Sequence, residues 1–341
     1  MQMRDDLGIT TKLENGKAYL EFALPEKIGR LLSALQIEIW EGAEGKRLVF
    51  HGEYSSEEAD SMTALLLRPH LWDGMRDPYV YLVKAQGRFR SVEYGEKMGG
   101  MEKEEKLDPA EDITGEVEMY WRQELTIYDV RVVEKKGILL NEKEFLPHEV
   151  VYRLPPQISD AGTRVEQVRR DLERLVRMGV NVIRLEGTGT GAEGVNCSEV
   201  RTFYNLCRKR GFLTGDRWIR PENLPVYRGL PGETTCQALL AADGRTLTER
   251  YYYYQAKWSS EPVLYPVLST LHRQENGLLS LTIYSNQKKV VLYVDGVLFL
   301  FQSAASGDPE FIFEDIPVAK LPLHLAVEAG NLSISLTVSK I

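Results

Sequence analysis

The chain has 341 residues, of which 43% are hydrophobic, and a formal net charge of −8. That length predicts two or three domains with real cores. The acidic balance excludes the basic footprint of a nucleic-acid or anionic-membrane protein, and no run approaches the ~20 apolar residues of a spanning helix.

The opening residues, MQMRDDLGITTKLENG, lack the apolar segment of a signal peptide. Three cysteines, Cys197, Cys207 and Cys236, are an odd set that predicts a reduced, cytoplasmic protein. AYLEFALP, LQIEIWE, KRLVFHGEY, TALLLRP and YVYLVKA alternate or run apolar in strand-length pieces between Gly, Asp, Asn and Pro turns. They predict a small antiparallel sandwich. Tyr94 to Asp112 is glycine-containing and densely charged, and is expected to be a mobile, solvated loop. EVEMYWRQELTIYDVRVVE then resumes strand character.

From Val165 to Asp216 the pattern changes to helix, strand, helix, strand, the unit of an α/β layer. Val165, Val168, Leu172, Leu175 and Val176 form an apolar stripe at helical spacing. Thr163 and Glu166 are placed as a capping box, and Gly179 stands where a helix stops. VNVIRL reads as a buried parallel strand, apolar on both faces. GTGTGAEG, the helix SEVRTFYNLCRKR and the strand GFLTGD follow. The turn from Gly189 to Gly194 fits the dinucleotide pattern G-x-G-x-x-G. A helix precedes its strand and no full doubly wound sheet is expected after it, so that reading is set aside. Beyond Glu261, LLSLTIYSN, KVVLYVDGV and LHLAVEAGNLSISLTVSKI read as further short strands, with Asp295-Gly296 as a hairpin turn.

Several of these stretches resemble family 2 glycoside hydrolases, the family of β-galactosidases, β-glucuronidases and β-mannosidases. LLLRPHLWDGMRDPYVYLV is similar to the "P-x-L-W-x-x-x-x-P-x-L-Y" signature of the family's immunoglobulin-like domain, through Pro69, Leu71, Trp72, Pro78, Tyr79 and Tyr81. YDVRVVEKKGILLNEKEF resembles the approach to its barrel, through Arg131, Gly137, Leu140 and Asn141. DLERLVRMGVNVIRLEG resembles a barrel helix and strand through Asp171, Gly179, Asn181 and Arg184, and FYNLCRKRGFLTGD a further unit through Phe203, Leu206, Cys207 and Gly211. LLAADGRTLTERYYYYQAKW resembles the last barrel unit through Gly244, Tyr251, Tyr252, Tyr254, Gln255 and Trp258. SNQKKVVLYVDGV is similar to a C-terminal immunoglobulin-like domain of many members. The matches occur in the family's order. A helix packing its tyrosines on its neighbours is favoured over a sugar platform for Tyr251 to Tyr254.

The resemblance implies a barrel, yet an eight-fold barrel needs about 250 residues. Gly137 to Trp258 spans 122. Strands 1 to 3 are expected at Glu149–Arg153, VNVIRL and GFLTG, and the last unit near 237–258. The regions that carry the family's acid/base glutamate, after strand 4, and its nucleophile glutamate, after strand 7, have no counterpart. Retaining hydrolysis needs two carboxyl groups about 5–5.5 Å apart on rigid supports. Glu149, Glu186 and Asp216 stand near strand ends, and Arg184 matches a position that faces the family's active site. Each has a structural alternative: Glu186 solvated, Asp216 paired with Arg217 or Arg220, Arg184 a buried hydrogen-bonding hub. The five histidines, His51, His70, His148, His272 and His324, show no metal-ligand spacing, and no nucleophile elbow supports a serine triad.

These readings define an expected multidomain β and α/β protein. An immunoglobulin-like β-sandwich is expected over 1–136, about half of a (β/α) barrel, strands 8-1-2-3, over 137–259, and a C-terminal immunoglobulin-like β-sandwich over 260–341. The resemblance implies a glycoside hydrolase-like protein without catalytic residues, acting in carbohydrate binding or protein interaction. The alternative is a β-glycosidase using recruited residues or a partner chain. Candidate substrate-binding residues are Arg184, Glu186, Asp216 and Trp218. No cofactor, metal, nucleic acid or membrane is expected. The bare face of half a barrel predicts a homodimer, or a lid formed by Trp218 to Thr235.

Overall fold

The computed structural model of the protein describes residues 7–92, 113–134, 136–155, 161–186, 197–214, 224–228, 238–305 and 307–340. The segment 94–112, the turn 189–194, Asp216 and Trp218 lie outside the described residues. The chain divides into two compact units, Met1–Phe145 and Leu146–Ile341.

In the first unit, β1 (Gly8–Glu14), β2 (Lys17–Ala23) and β5 (Thr63–Leu67) form one antiparallel sheet. A second sheet has the order β4 (Arg47–Ser55), β3 (Leu32–Glu41), β6 (Tyr81–Val92), β7 (Ile113–Leu125). Alternation sets the faces: Ala18, Leu20 and Phe22 of β2 are buried, while the residues between them are exposed. They join Leu35, Ile37 and Ile39 of β3 and Val83, Ala85 and Phe89 of β6 in one core. The turn Asn15–Gly16 takes positive φ at both residues, 51° and 71°, as a two-residue hairpin requires.

A three-stranded sheet, β8 (Val130–Val133), β9 (Gly137–Leu140) and β10 (Lys143–Phe145), completes this unit, with β9 central. Asn141 ties it down. Its Nδ2 donates to the Trp72 carbonyl at 2.9 Å, and its Oδ1 accepts from the Asp129 N–H at 3.0 Å. Trp72 itself is 1% exposed. His70 stacks on Tyr79 at 3.8 Å, and the Tyr81 hydroxyl accepts from the His70 N–H at 2.7 Å. The P-x-L-W signature is therefore a packing knot.

In the second unit, β11 (Glu149–Tyr152), α1 (Ala161–Met178), β12 (Val182–Leu185), α2 (Cys197–Lys209), β13 (Leu213–Thr214), β14 (Val226–Arg228), β15 (Ala238–Leu240) and α3 (Glu249–Trp258) follow in sequence. The sheet is parallel throughout, in the order β13-β12-β11-β14-β15. Val168, Leu172 and Leu175 of α1 pack with Val150 and Tyr152 of β11, Ile183 and Leu185 of β12, and Phe203 and Cys207 of α2. Each such side chain contributes about 1.5–3 kcal/mol by leaving water. Val176, expected in the stripe, is 38% exposed. Helix α1 already begins at Ala161, so Thr163 lies inside it and is not its cap.

The sheet differs from the expected arc of strands 8-1-2-3. The neighbour of β11 is β14, not the last unit, and β15 lies one place further out. Val226–Arg228 belongs to the stretch read as a lid, yet it inserts as a central strand and buries Tyr227 completely. The five strands follow the order of an open doubly wound sheet as far as they go.

The rest of this unit is antiparallel. One sheet runs β16 (Leu264–Arg273), β17 (Leu279–Ser285), β20 (Glu310–Ile316). The other runs β19 (Val297–Ser303), β18 (Lys289–Val294), β21 (Leu323–Ala329), β22 (Leu332–Val338). Asp295 and Gly296 make the expected hairpin turn, with φ of 47° and 79°. Tyr251 is 3% exposed, and Tyr252 stacks on Tyr265 of β16 at 3.8 Å, so these two tyrosines pack as expected.

Candidate functional site

Residues side by side in a parallel pair share a face of the sheet. Val150 and Tyr152 pair with Ile183 and Leu185 and sit in the core with the helices. Glu149 pairs with Val182 and Val151 with Arg184, so these occupy the opposite face. This second face is not uniformly apolar. The Arg184 Nε and Nη2 both reach Glu149 Oε1, at 2.8 and 2.7 Å. The Glu149 side chain is 6% exposed, and burial pushes its carboxyl above the ordinary glutamate range against the pull of Arg184.

One step further along the strands, Arg153 meets Glu186. The Arg153 Nη2 donates to Glu186 Oε1 at 3.2 Å, and its Nε contacts Oε2. The Arg153 Nη1 also donates to the Arg228 carbonyl at 3.2 Å, which ties β11 to β14. Both described strand-end carboxylates of the sequence reading are thus held by guanidinium groups. A carboxylate is a poor nucleophile while guanidinium donors cover its oxygens.

A second charged group lies within the helix-side core. Asp171 of α1 is 1% exposed and accepts from the Tyr152 and Tyr227 hydroxyls, at 2.9 and 3.1 Å, and from Arg228 Nη2 at 2.7 Å. Burial beside Asp171 pushes both phenols well up, which keeps them as donors. The network joins α1 to β11 and β14. Its members are enclosed, so it supports the sheet and does not face a ligand.

The structure places Arg184 and Glu186 on the sheet's second face, the first 24% and the second 46% exposed by side chain. Arg184 is paired with Glu149 yet keeps part of its side chain in water, so it is not the fully buried hub of the structural alternative. Sequence reasoning missed Arg153 and Arg228; neither falls in a matched motif, and their partners lie 33 and 57 positions away. His148 is half-buried, stacks on Trp258 with centroids 5.2 Å apart, and donates from Nδ1 to the Gly179 carbonyl at 2.9 Å. Among the described residues no three His, Cys, Asp or Glu side chains gather in a way that could hold a metal ion. Nor is any described helix long and apolar enough to cross a membrane.

Along the chain come antiparallel sheets, a five-stranded parallel sheet with helices, and two further antiparallel sheets. Solved structures of glycoside hydrolases are similar to this chain at the level of the fold. The FMN-binding β-glucuronidase of Faecalibacterium prausnitzii matches with a TM-score of 0.62 at 13% identity, over 98% of this chain and 74% of its own. A β-glycosidase of Bacteroides vulgatus gives 0.63 at 12%, over 98% of this chain and 64% of its own. A glycosyl hydrolase family 2 member of Bacteroides cellulosilyticus gives 0.58 at 12%, over 98% and 63%. The chain therefore spans about two thirds to three quarters of the length of these relatives in fold. No family model and no curated protein matches its sequence.

Proposed function

We propose that this chain is a non-hydrolysing relative of the family 2 glycosidases that acts by binding carbohydrate or another protein. The observation that carries the proposal is the pairing of Glu149 with Arg184 and of Glu186 with Arg153. A retaining glycosidase presents two carboxyl groups to the sugar, one protonated and one free. Here the carboxylates on the sheet's second face are each covered by a guanidinium. Purified protein is expected to release no nitrophenol from aryl β-galactoside, β-glucuronide or β-mannoside. Turnover at ordinary enzymatic rates, abolished by Glu149→Gln or Glu186→Gln, would overturn the proposal.

A second reading, a β-glycosidase with recruited residues, rests on Glu149. Its raised pKa is the property a general acid needs. The same assay decides between the two. A homodimer through the sheet's second face belongs to the proposal as well. Its contact would be more polar than a bare half barrel, because Val182 and Leu213 are already buried within one chain while Glu186 stays half exposed. A single-chain mass in light scattering at micromolar concentration would remove it.

A further inference from the structure

Four tyrosines of the second unit surround a cleft that the sheet face does not include. Tyr253 and Tyr254 come from α3, Tyr265 from β16 and Tyr284 from β17, and with Thr246 and Arg250 they line a volume of about 760 Å³. All four rings are half-buried. Tyr253 meets Tyr254 and Tyr284 edge-on, at 5.4 and 5.5 Å, so the walls brace one another. The Arg250 guanidinium lies 5.6 Å over the Tyr254 ring.

The polar atoms of the walls divide into two groups. Glu249 is committed: its oxygens accept from the Ser269 N–H at 3.1 Å and the Ser269 hydroxyl at 2.6 Å. The hydroxyls of Tyr253, Tyr265 and Tyr284 make no hydrogen bond to another described residue. Tyr265 and Tyr284 are pushed up by burial, Tyr284 to about 12, so both stay protonated at neutral pH. Each phenol can then donate and accept at once. Packing alone does not explain three tyrosines that line one cleft with hydroxyls bonded to no described residue. Buried tyrosines ordinarily bring the hydroxyl to a partner, as Tyr251 does on the Arg174 carbonyl at 2.9 Å.

We propose that this cleft binds a neutral glycan. A pyranose has C–H faces that pack on aromatic rings and hydroxyl edges that need both donors and acceptors. The cleft offers ring surface together with three phenols that bond to no other described residue, and its two formal charges, Glu249 and Arg250, are adjacent and opposite. An uncharged, polyhydroxylated ligand fits that balance, and the volume falls within the usual range of ligand sites, about 300–1,000 Å³. The assignment rests on the carbohydrate-binding reading above and names the place where the contact is made.

The test uses the full chain and an immobilised panel of neutral disaccharides, including lactose, cellobiose and mannobiose, followed by calorimetry on whichever is retained. Tyr253→Phe with Tyr284→Phe keeps the rings and removes two hydroxyls. It is expected to weaken binding about tenfold, the equivalent of two modest hydrogen bonds. Tyr265→Ala, which opens one wall, is expected to abolish binding; the phenylalanine pair guards against a fold defect and should melt with wild type. If the tyrosine variants bind unchanged while Arg184→Ala loses the glycan, the ligand sits on the sheet face, and the cleft is overturned while the carbohydrate reading stands. If wild type retains none of the sugars, both fall.

Discussion

Asp171 and Arg228 meet inside the second unit, Oδ2 to Nη2 at 2.7 Å, with side chains 1% and 6% exposed. Charges this enclosed are tolerated only when paired and hydrogen-bonded; the Tyr152 and Tyr227 hydroxyls donate to Asp171, and Arg174 Nη1 stands 3.6 Å from its Oδ1. Gly244 is part of the arrangement, since a Cβ there would stand 2.6 Å from Arg228 Nη1.

Removing one partner should therefore be severe. Asp171→Ala leaves the guanidinium buried without its counter-charge, a change that typically costs about 3–5 kcal/mol. Denaturant unfolding should show that loss, and calorimetry a drop in melting temperature near 10 °C at about 2–4 °C per kcal/mol. A variant that melts within a degree or two of wild type would show that the pair contributes nothing net.

The Glu149–Arg184 pair is less enclosed, because Arg184 keeps a quarter of its surface in water. Arg184→Ala is expected to cost about 1.5–3 kcal/mol, the range for a charge-assisted hydrogen bond. The neutral pair Arg184→Met with Glu149→Leu should recover part of it, because neither charge is then left stranded. Unchanged melting of the single variant, together with loss of glycan binding, would assign Arg184 to a ligand.

Gly179 ends α1 with φ of +86°, and a Cβ built there would stand 2.3 Å from the Trp258 carbonyl oxygen. Gly179→Ala meets both a disfavoured backbone region and a clash with main chain. It should destabilise by more than about 1 kcal/mol, the scale of the conformational effect alone. A neutral result in thermal melting would mean that the end of α3 shifts freely.

Gly179 also shows which part of the molecule was legible in the sequence. The motif residues that carried the family resemblance, Trp72, Asn141, Asp171, Gly179 and Asn181, all serve packing. Asn181, for example, accepts from the His148 N–H at 2.7 Å and donates to the Leu146 carbonyl at 2.8 Å, which fixes the start of β11. Residues whose side chains are committed to backbone groups and packing announce the fold and are silent on chemistry. The sheet order was not legible. β14 has three residues between Pro and Gly, too short for any periodicity to register. The partners Glu149 and Arg184 are 35 positions apart, and only the register of β11 on β12 joins them.

His148 gives the second unit a pH dependence with a definite sign. Its Nδ1–H donates to the Gly179 carbonyl and its ring lies flat on Trp258, at an interplanar angle of 6°. Burial lowers its pKa below 6.5, with the Gly179 hydrogen bond opposing. In the unfolded chain the same imidazole takes up its proton near 6.5. The folded state resists that proton, so the contribution of His148 is complete above 6.5 and declines as pH falls toward the lowered folded value. Glu149 acts in the opposite sense. Its folded pKa is raised above 4.5, so its contribution is complete below 4.5 and is lost as pH rises through the folded value. Because both groups change protonation on the acid side of neutrality, a variant is needed to separate them. His148→Phe keeps a flat ring against Trp258 and removes only the titrating group and one hydrogen bond. Wild type should be the more stable by about 1 kcal/mol above neutrality, the worth of that bond. The gap should narrow steadily as the solution is acidified below 6.5, because only wild type pays the cost of excluding a proton. Paired melting curves from neutral to mildly acidic pH measure it directly. A gap that stays constant would mean that folding leaves the His148 pKa unshifted, and a gap that widens in acid would mean that it is raised; either result overturns the prediction.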